Sequence, residues 1–283
     1  MFQYFPRKTL SYTAKILQSY MDIPESESIA YMILHKVFGL NRVDIIIDEP
    51  FLPTDAQQLK YEVIINRLSN NEPIQYILKE ADFFGRKFYV NPNVLIPRQE
   101  TESLIELIKN YDNWHRPKIA DVGTGSGCIA CTLDLEINDS TVHAYDISMD
   151  AIKVATKNNS KLNSDVQFHE IDILTQNLTE EFDIIVSNPP YVTNHEKYQM
   201  RRNVLDYEPE LALFVPDNDP LIFYKTIMEE AHISLRSGGA LFFEINEQFG
   251  KNILLLLQHH GFEHPKIHND INDKQRFASA VKP

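Results

Sequence analysis

At 283 residues the chain is about twice the length of a common domain, enough for two domains and a core that needs no disulfide or metal staple. Hydrophobic residues make up 43% and charged residues 24%, which excludes wholesale disorder, and 2 cysteines exclude a disulfide framework. With 40 acidic against 27 basic residues the formal charge is −13, a balance that repels a phosphate backbone and disfavours stable nucleic-acid binding.

Residues 1–21 carry Arg7, Lys8 and Lys15 and no acidic group, which reads as an amphipathic first helix rather than a transit peptide. No apolar run approaches the roughly 18 residues of a membrane helix, so no membrane partner is expected and the setting reads as reducing and cytoplasmic. Up to residue 72 the pattern is helical. Ile16, Leu17 and Met21, then Ile29, Ile33 and Val37, then Leu59, Val63 and Leu68 recur at three- and four-residue spacing. Pro24, Pro50 and Pro53 break the runs, and Thr54 or Asp55 is placed to cap the last helix. This first domain, residues 1–72, is expected to be a small bundle with no chemistry of its own.

Residues 73–97 are rich in Ile, Val, Phe and Tyr and are punctuated by Gly85 and Pro92, which predicts a β-hairpin linker. A helix is expected to start at Thr101. From 98 to 283 the rhythm turns to strand, loop and helix, with β-rich runs at KIADVG, TVHAYD, VQFHEI, FDIIVSN, ALFFEI and RFASAVK. Strands alternating with helices predict an α/β domain: a doubly wound, Rossmann-like parallel sheet covered on both faces.

The first chemical signal is Asp121–Gly127, DVGTGSG, between a strand and a helix. Gly123, Gly125 and Gly127 let the backbone turn tightly and approach a ligand at the helix's positive end, with Thr124 and Ser126 between them. The spacing departs from the dinucleotide fingerprint, because the last glycine position falls on Cys128. Asp146 closes the next strand about 20 residues on, where a carboxylate accepts hydrogen bonds from a ribose diol. The pair suits any adenosine cofactor; a tight turn without a ligand is the bland alternative. Asp121 adds a carboxylate suited to a cationic amino-acid tail, which favours S-adenosylmethionine over NAD.

The second signal is Ser187-Asn188-Pro189-Pro190-Tyr191, at the carboxyl end of the strand FDIIV. A planar amide or exocyclic nitrogen is a poor nucleophile because its lone pair is delocalised. It must be held with that pair aimed at the methyl it attacks. The Asn188 side-chain oxygen and the Pro189 carbonyl can each accept one N–H. Pro189 and Pro190 stiffen the loop, and Tyr191 offers a flat face to a planar acceptor.

In this order the two motifs resemble class I methyltransferases acting on planar nitrogens. The wider pattern is similar to the HemK/PrmC family, release factor glutamine methyltransferases. It includes Glu72–Ile77 (EPIQYI), Phe84-Gly85, Leu95–Glu102 (LIPRQETE), Tyr207–Leu213 (YEPELAL), Phe223-Tyr224, Gly238-Gly239 and Phe243–Ile245 (FEI), over roughly residues 72 to 250. The resemblance implies methyl transfer from S-adenosylmethionine to the glutamine amide of the Gly-Gly-Gln motif of peptide chain release factors, with the helical domain gripping the protein substrate. It assigns Gly123 to Gly127, Asp146, Asp172 and Ile173 to the cofactor, Asn188 to cofactor and substrate, and Pro189, Pro190 and Tyr191 to the acceptor. Ile173 stands where the family is often aromatic. Asn71 and Asn246 stand where it commonly has glycine. Methylation of an exocyclic amino group of a DNA or RNA base is the alternative chemistry, and the acidic balance weighs against it.

Other groups read as structural. Cys128 and Cys131 form a C-x-x-C inside a helix, His264 and His268 lie in a late strand as surface residues, and no metal is expected. Arg98, Glu100 and Glu102 are placed at the rim of the site. Glu244, which ends a strand beside the crevice, is either a supporting group or a solvated strand end.

Overall fold

The computed structural model describes residues 4–111 and 114–283. They fall into two compact units, Met1–Lys79 with Arg201–Tyr207, and Glu80–Met200 with Glu208–Pro283.

The first unit is helical. It contains α1 (Pro6–Leu17), α2 (Ile23–Ile33), α3 (Arg42–Ile47), α4 (Asp55–Ser69) and α5 (Ile74–Leu78). Local chemistry sets the starts. Asp22 accepts from the Glu25 amide, Asn41 and Asp44 form a capping box, and Thr54 does the same with Gln57. Leu17, Ile29, Ile33, Val37, Ile64 and Leu68 share one core. In α4 the inward stripe is Ile64 and Leu68, whereas Leu59 and Val63 are 63% and 47% exposed. The three-and-four spacing fits more than one stripe of an apolar-rich helix, and only tertiary packing chooses between them.

The stretch expected as a hairpin from 73 to 97 is shorter. Ile74–Leu78 is the helix α5, because a five-residue apolar run does not distinguish helix from strand. The hairpin is β1 (Ala81–Phe83) against β2 (Arg86–Phe88), turned by Phe84 and Gly85, both at positive φ (48° and 70°). Two left-handed residues match the twist of paired strands. Asn71 also has a positive φ, 64°. Asparagine tolerates that region, so the turn a glycine would make is kept.

The second unit continues with α6 (Glu102–Lys109), β3 (Lys118–Val122), α7 (Cys128–Glu136), β4 (Thr141–Asp146), α8 (Met149–Leu162), β5 (Val166–Glu170), β6 (Phe182–Ser187) and β7 (Val192–Thr193). After an excursion into the helical unit, which carries α9 (Arg202–Leu205), come β8 (Phe214–Val215), α10 (Ile222–Ser234), β9 (Leu235–Glu244), α11 (Gly250–His259), β10 (Glu263–Asn269) and β11 (Gln275–Val281). The seven-stranded sheet has the order β10-β11-β9-β6-β3-β4-β5. β11 runs antiparallel to both its neighbours, and the other pairings are parallel.

Both faces are covered. Ile119, Val142, Ile184 and Phe242 pack with Leu104, Ile108 and Leu133 of α6 and α7. Ala120, Ile185, Leu241 and Phe243 pack with Ile227, Met228, Ile253 and Leu257 of α10 and α11. This is the doubly wound sheet that the sequence rhythm implies. The chain runs outward through β3, β4 and β5, then returns to the other side of β3 as β6. The reversal opens a crevice at the carboxyl ends of β3 and β6, where ligands bind in such sheets. The glycine loop follows β3 and the Asn-Pro-Pro-Tyr loop follows β6, so topology brings the two motifs together.

Gly127 shows how tightly the end of the glycine loop packs on α8. Its φ is 78°, and a Cβ there would lie 3.0 Å from Ala155 Cβ in α8. Gly127→Ala is expected to destabilise this unit by about 1–3 kcal/mol, through backbone strain and helix–helix overlap. Thermal unfolding measures it; an unchanged midpoint would show that α8 gives way freely.

Candidate active site

The crevice holds a cavity of about 350 Å³, within the range of small-molecule sites. Gly123, Thr124, Gly125 and Ser126 form one wall, Asp146, Asp172 and Ile173 a second, and Asn188, Pro189 and Pro190 a third. Arg98 and Thr101 complete the rim.

The glycine loop is fixed from below. Gly123 N and Thr124 N both donate to the Tyr145 carbonyl, at 2.8 and 3.0 Å. Gly123 and Gly125 have φ of 79° and 55°, and a Cβ on either would meet no atom within 4 Å. They border open space, as a cradle for a closely approaching ligand should. Asp146 ends β4 with each oxygen already oriented: Oδ2 accepts from Gly125 N at 2.8 Å and Oδ1 from Ser148 N at 2.9 Å. A carboxylate oxygen has more than one acceptor site, so Asp146 retains capacity for a ribose diol. Burial raises its pKa against these stabilising amides. Asp172 similarly accepts from Leu174 N and Thr175 Oγ1, at 3.0 and 3.1 Å, and Ile173 offers an apolar surface. These residues fit S-adenosylmethionine: a glycine cradle, a diol acceptor and an apolar wall.

Asp121 and Gly127 are not in the cavity wall. Strand alternation sends Asp121 to the face shared with Ile119, where it is completely buried. Its Oδ2 accepts from Thr124 Oγ1 at 2.7 Å and Ala130 N at 3.2 Å, bracing the glycine loop against α7. Its Oδ1 has no hydrogen-bond partner among the described residues. Asp121 thus braces the loop from outside the cavity lining rather than standing in its wall, and Gly127 packs against α8. Burial is the main cause that pushes the Asp121 carboxyl up to about 7. A carboxyl raised on folding favours the folded state when protonated, and that contribution fades as pH climbs from its unfolded value of about 4 to about 7. Asp121→Asn lacks this titration. Its stability relative to the parent protein is expected to rise between pH 5 and 7, by up to about 1.4 kcal/mol per pH unit. Parallel denaturant titrations of the two proteins measure the slope, and a pH-independent difference would refute it.

On the facing wall Ser187 Oγ donates to the Val122 carbonyl at 2.6 Å, pinning the end of β6 to the end of β3. Beyond it, the Asn188 carboxamide and the Pro189 carbonyl have no hydrogen-bond partner among the described residues, and both residues line the cavity. Two unengaged acceptor groups thus sit on adjacent residues of the cavity lining. Tyr191 is placed differently from the expected stacking face. It turns away from this cavity, packs on the core beneath α10 and α11, and donates its hydroxyl to Glu244 Oε1 at 3.2 Å. Burial is the main cause that raises the Tyr191 phenol.

Glu244 is no solvated strand end: it is 2% exposed, and its Oε2 accepts from Thr101 Oγ1 at 2.6 Å. Arg98 donates to Glu208 Oε1 at 2.8 Å, and Glu208 Oε2 accepts from Ile96 N at 3.2 Å. Glu102 accepts from Phe84 N at 2.9 Å, tying α6 to the hairpin turn. Glu208 was not singled out in the sequence beyond its place in YEPELAL; its partners lie more than a hundred positions away. Cys128 and Cys131 are buried and unbridged, with burial pushing both thiols up to about 12, which leaves them inert at neutral pH. His264 is exposed, whereas His268 is half-buried against Ser279 Oγ at 2.7 Å. Among the described residues no metal-binding cluster occurs, and no helix is long and apolar enough to cross a membrane.

Comparison with known proteins agrees with the geometry. Residues 8–78 match the PrmC N-terminal domain and residues 99–208 the methyltransferase small domain. The catalytic domain of hMettl16, solved with the MAT2A 3'UTR hairpin 6, superposes with a TM-score of 0.58 at 15% identity, covering 84% of this chain and 85% of that one. A methyltransferase from Pyrococcus furiosus gives 0.52 at 18% identity, over 77% and 96% of the two chains. These likenesses concern the fold. The release factor glutamine methyltransferase of Bacteroides thetaiotaomicron is 44% identical over 95% of this chain and 98% of its own length. That of Flavobacterium psychrophilum is 45% identical over 92% and 93%. Such identity spans nearly the whole of both chains and includes the helical unit as well as the crevice, and on that ground this chain belongs to the release factor glutamine methyltransferase family.

Proposed function

We propose that the protein transfers a methyl group from S-adenosylmethionine to the side-chain amide nitrogen of the glutamine in the Gly-Gly-Gln motif of peptide chain release factors. The observation that carries the reading is that Asn188 and Pro189, whose carboxamide and carbonyl have no hydrogen-bond partner among the described residues, line the same cavity as the glycine cradle. S-adenosylmethionine supplies an electrophilic sulfonium methyl. The chain's part is orientation. Asn188 and Pro189 each accept one amide N–H, which fixes the rotation of the amide and draws electron density onto its nitrogen. After transfer the nitrogen is acidic, and its proton leaves to a carbonyl or to water. No strong general base is required, and among the cavity-lining residues the preorganised acceptors carry the effect.

The formal charge of −13 supports a protein loop rather than a nucleic acid as acceptor. Recognition of that protein falls, on this reading, to the helical unit, where α3 buries none of its residues and Val43, Ile46 and Ile47 are exposed. Incubation with labelled S-adenosylmethionine and either a release factor or its Gln→Ala variant tests the proposal. Label confined to the glutamine by mass spectrometry is the expected result, and label on both proteins or on neither would reject it.

A further inference from the structure

We propose that Glu244 is a positioning residue for methyl transfer, holding the Asn188–Tyr191 loop in place through the Tyr191 hydroxyl; the inference rests on the function proposed above. The loop's two acceptors have no partners among the described residues, so their placement depends on how the adjacent residues are anchored. Upstream the anchor is Ser187 on Val122. Downstream it is Tyr191. Its hydroxyl meets Glu244 Oε1 at 3.2 Å, while Glu244 Oε2 takes Thr101 Oγ1 at 2.6 Å. Thr101 lines the cavity at the end of the Leu95–Thr101 segment. One carboxylate therefore joins the rim of the cavity at Thr101 to the residue that follows Pro190 in the loop.

Glu244 is itself held. Its main-chain carbonyl accepts from the buried Tyr224 hydroxyl at 3.0 Å. Asn246, two residues further on and 7% exposed, grips the other end of Tyr191: Nδ2 lies 3.4 Å from the Tyr191 carbonyl and 3.2 Å from Glu196 Oε1, and Oδ1 accepts from Gln248 N at 3.0 Å. The end of β9 thus clamps Tyr191 at its hydroxyl and its backbone. A buried carboxylate is costly, and here burial raises the Glu244 pKa. A residue present only to fill the core would be better replaced by an apolar one. The cost is offset by two hydroxyl donors and by the positive charge of Arg276.

Three variants separate positioning from packing. Tyr191→Phe and Glu244→Met are expected to lower kcat about tenfold, since small misplacements at a reacting centre are expensive, with KM for S-adenosylmethionine within about twofold. Glu244→Gln should stay within about threefold of the parent, because its amide oxygen accepts from one hydroxyl and its NH2 donates to the other. Amide hydrogen exchange at Val192, whose N–H donates to the Leu213 carbonyl at 2.9 Å directly after Tyr191, should quicken in the first two variants and not in the third, a readout that needs no turnover. Full kcat in Glu244→Met, or unchanged exchange in Tyr191→Phe, would overturn the inference. A parent protein that leaves release factors unmethylated would reject the proposed function instead, and the exchange measurement would still decide this one.

Discussion

Asn188→Ala is expected to lower methylation of a release factor by about 10²–10³-fold, while S-adenosylmethionine still binds, more weakly. The argument is geometric. Asn188 lines the cavity and its carboxamide has no partner among the described residues; the adjacent Pro189 also lines it, with its carbonyl in the same state. Removing the carboxamide leaves one acceptor for two amide protons, so the acceptor amide can rotate about the remaining bond. The loop itself should survive, because Ser187 remains bonded to Val122 and Tyr191 to Glu244. Asn188→Asp sharpens the test. It keeps an oxygen acceptor at the same distance from the backbone but loses the NH2 donor, and it should fall between the parent and Asn188→Ala. Calorimetry with S-adenosylmethionine alone, run beside single-turnover methylation, separates the two effects. Turnover unchanged in Asn188→Ala would reject the acceptor role.

What the sequence revealed of this site was the part written in contiguous residues. The glycine loop and the Asn-Pro-Pro-Tyr loop carry their own backbone instructions, and alternating strands and helices imply a sheet whose topology brings the two together. Residues that hold those loops were hidden for a simple reason. Glu244 meets Thr101 across 143 positions and Glu208 meets Arg98 across 110, and no local pattern encodes such pairs. Asp121 and Tyr191 belong to the motifs, yet neither lines the cavity. Strand parity and the fall of the loop after Pro190 decide their direction, and residue type does not. Short elements misled in the same way: Ile74–Leu78 is apolar enough for a strand, yet Tyr76 N and Ile77 N close a helical turn on the Pro73 carbonyl.

The second large effect should come from the Arg98–Glu208 pair, and it should be asymmetric. The Glu208 side chain is 2% exposed, whereas that of Arg98 is 33% exposed. Arg98→Met would leave a buried carboxylate with only the Ile96 amide at 3.2 Å, a loss of about 2–4 kcal/mol after discounting for the exposed half of the pair. Glu208→Gln leaves the mirror situation, but Arg98 reaches water and its charge is solvated, so about 1 kcal/mol is expected. The double variant Arg98→Met/Glu208→Gln removes both the charge and its orphaned partner. It should be more stable than Arg98→Met alone, a non-additivity that contacting residues show and distant ones do not. The pair also joins Ile96 to Pro209 and Leu211, two stretches that border the cavity, so S-adenosylmethionine affinity should track stability across the three variants. Denaturant unfolding and exchange protection at the Ile96 amide provide the measurements. Equal losses in both single variants, adding in the double, would mean that the pair is a surface contact with no bearing on the site.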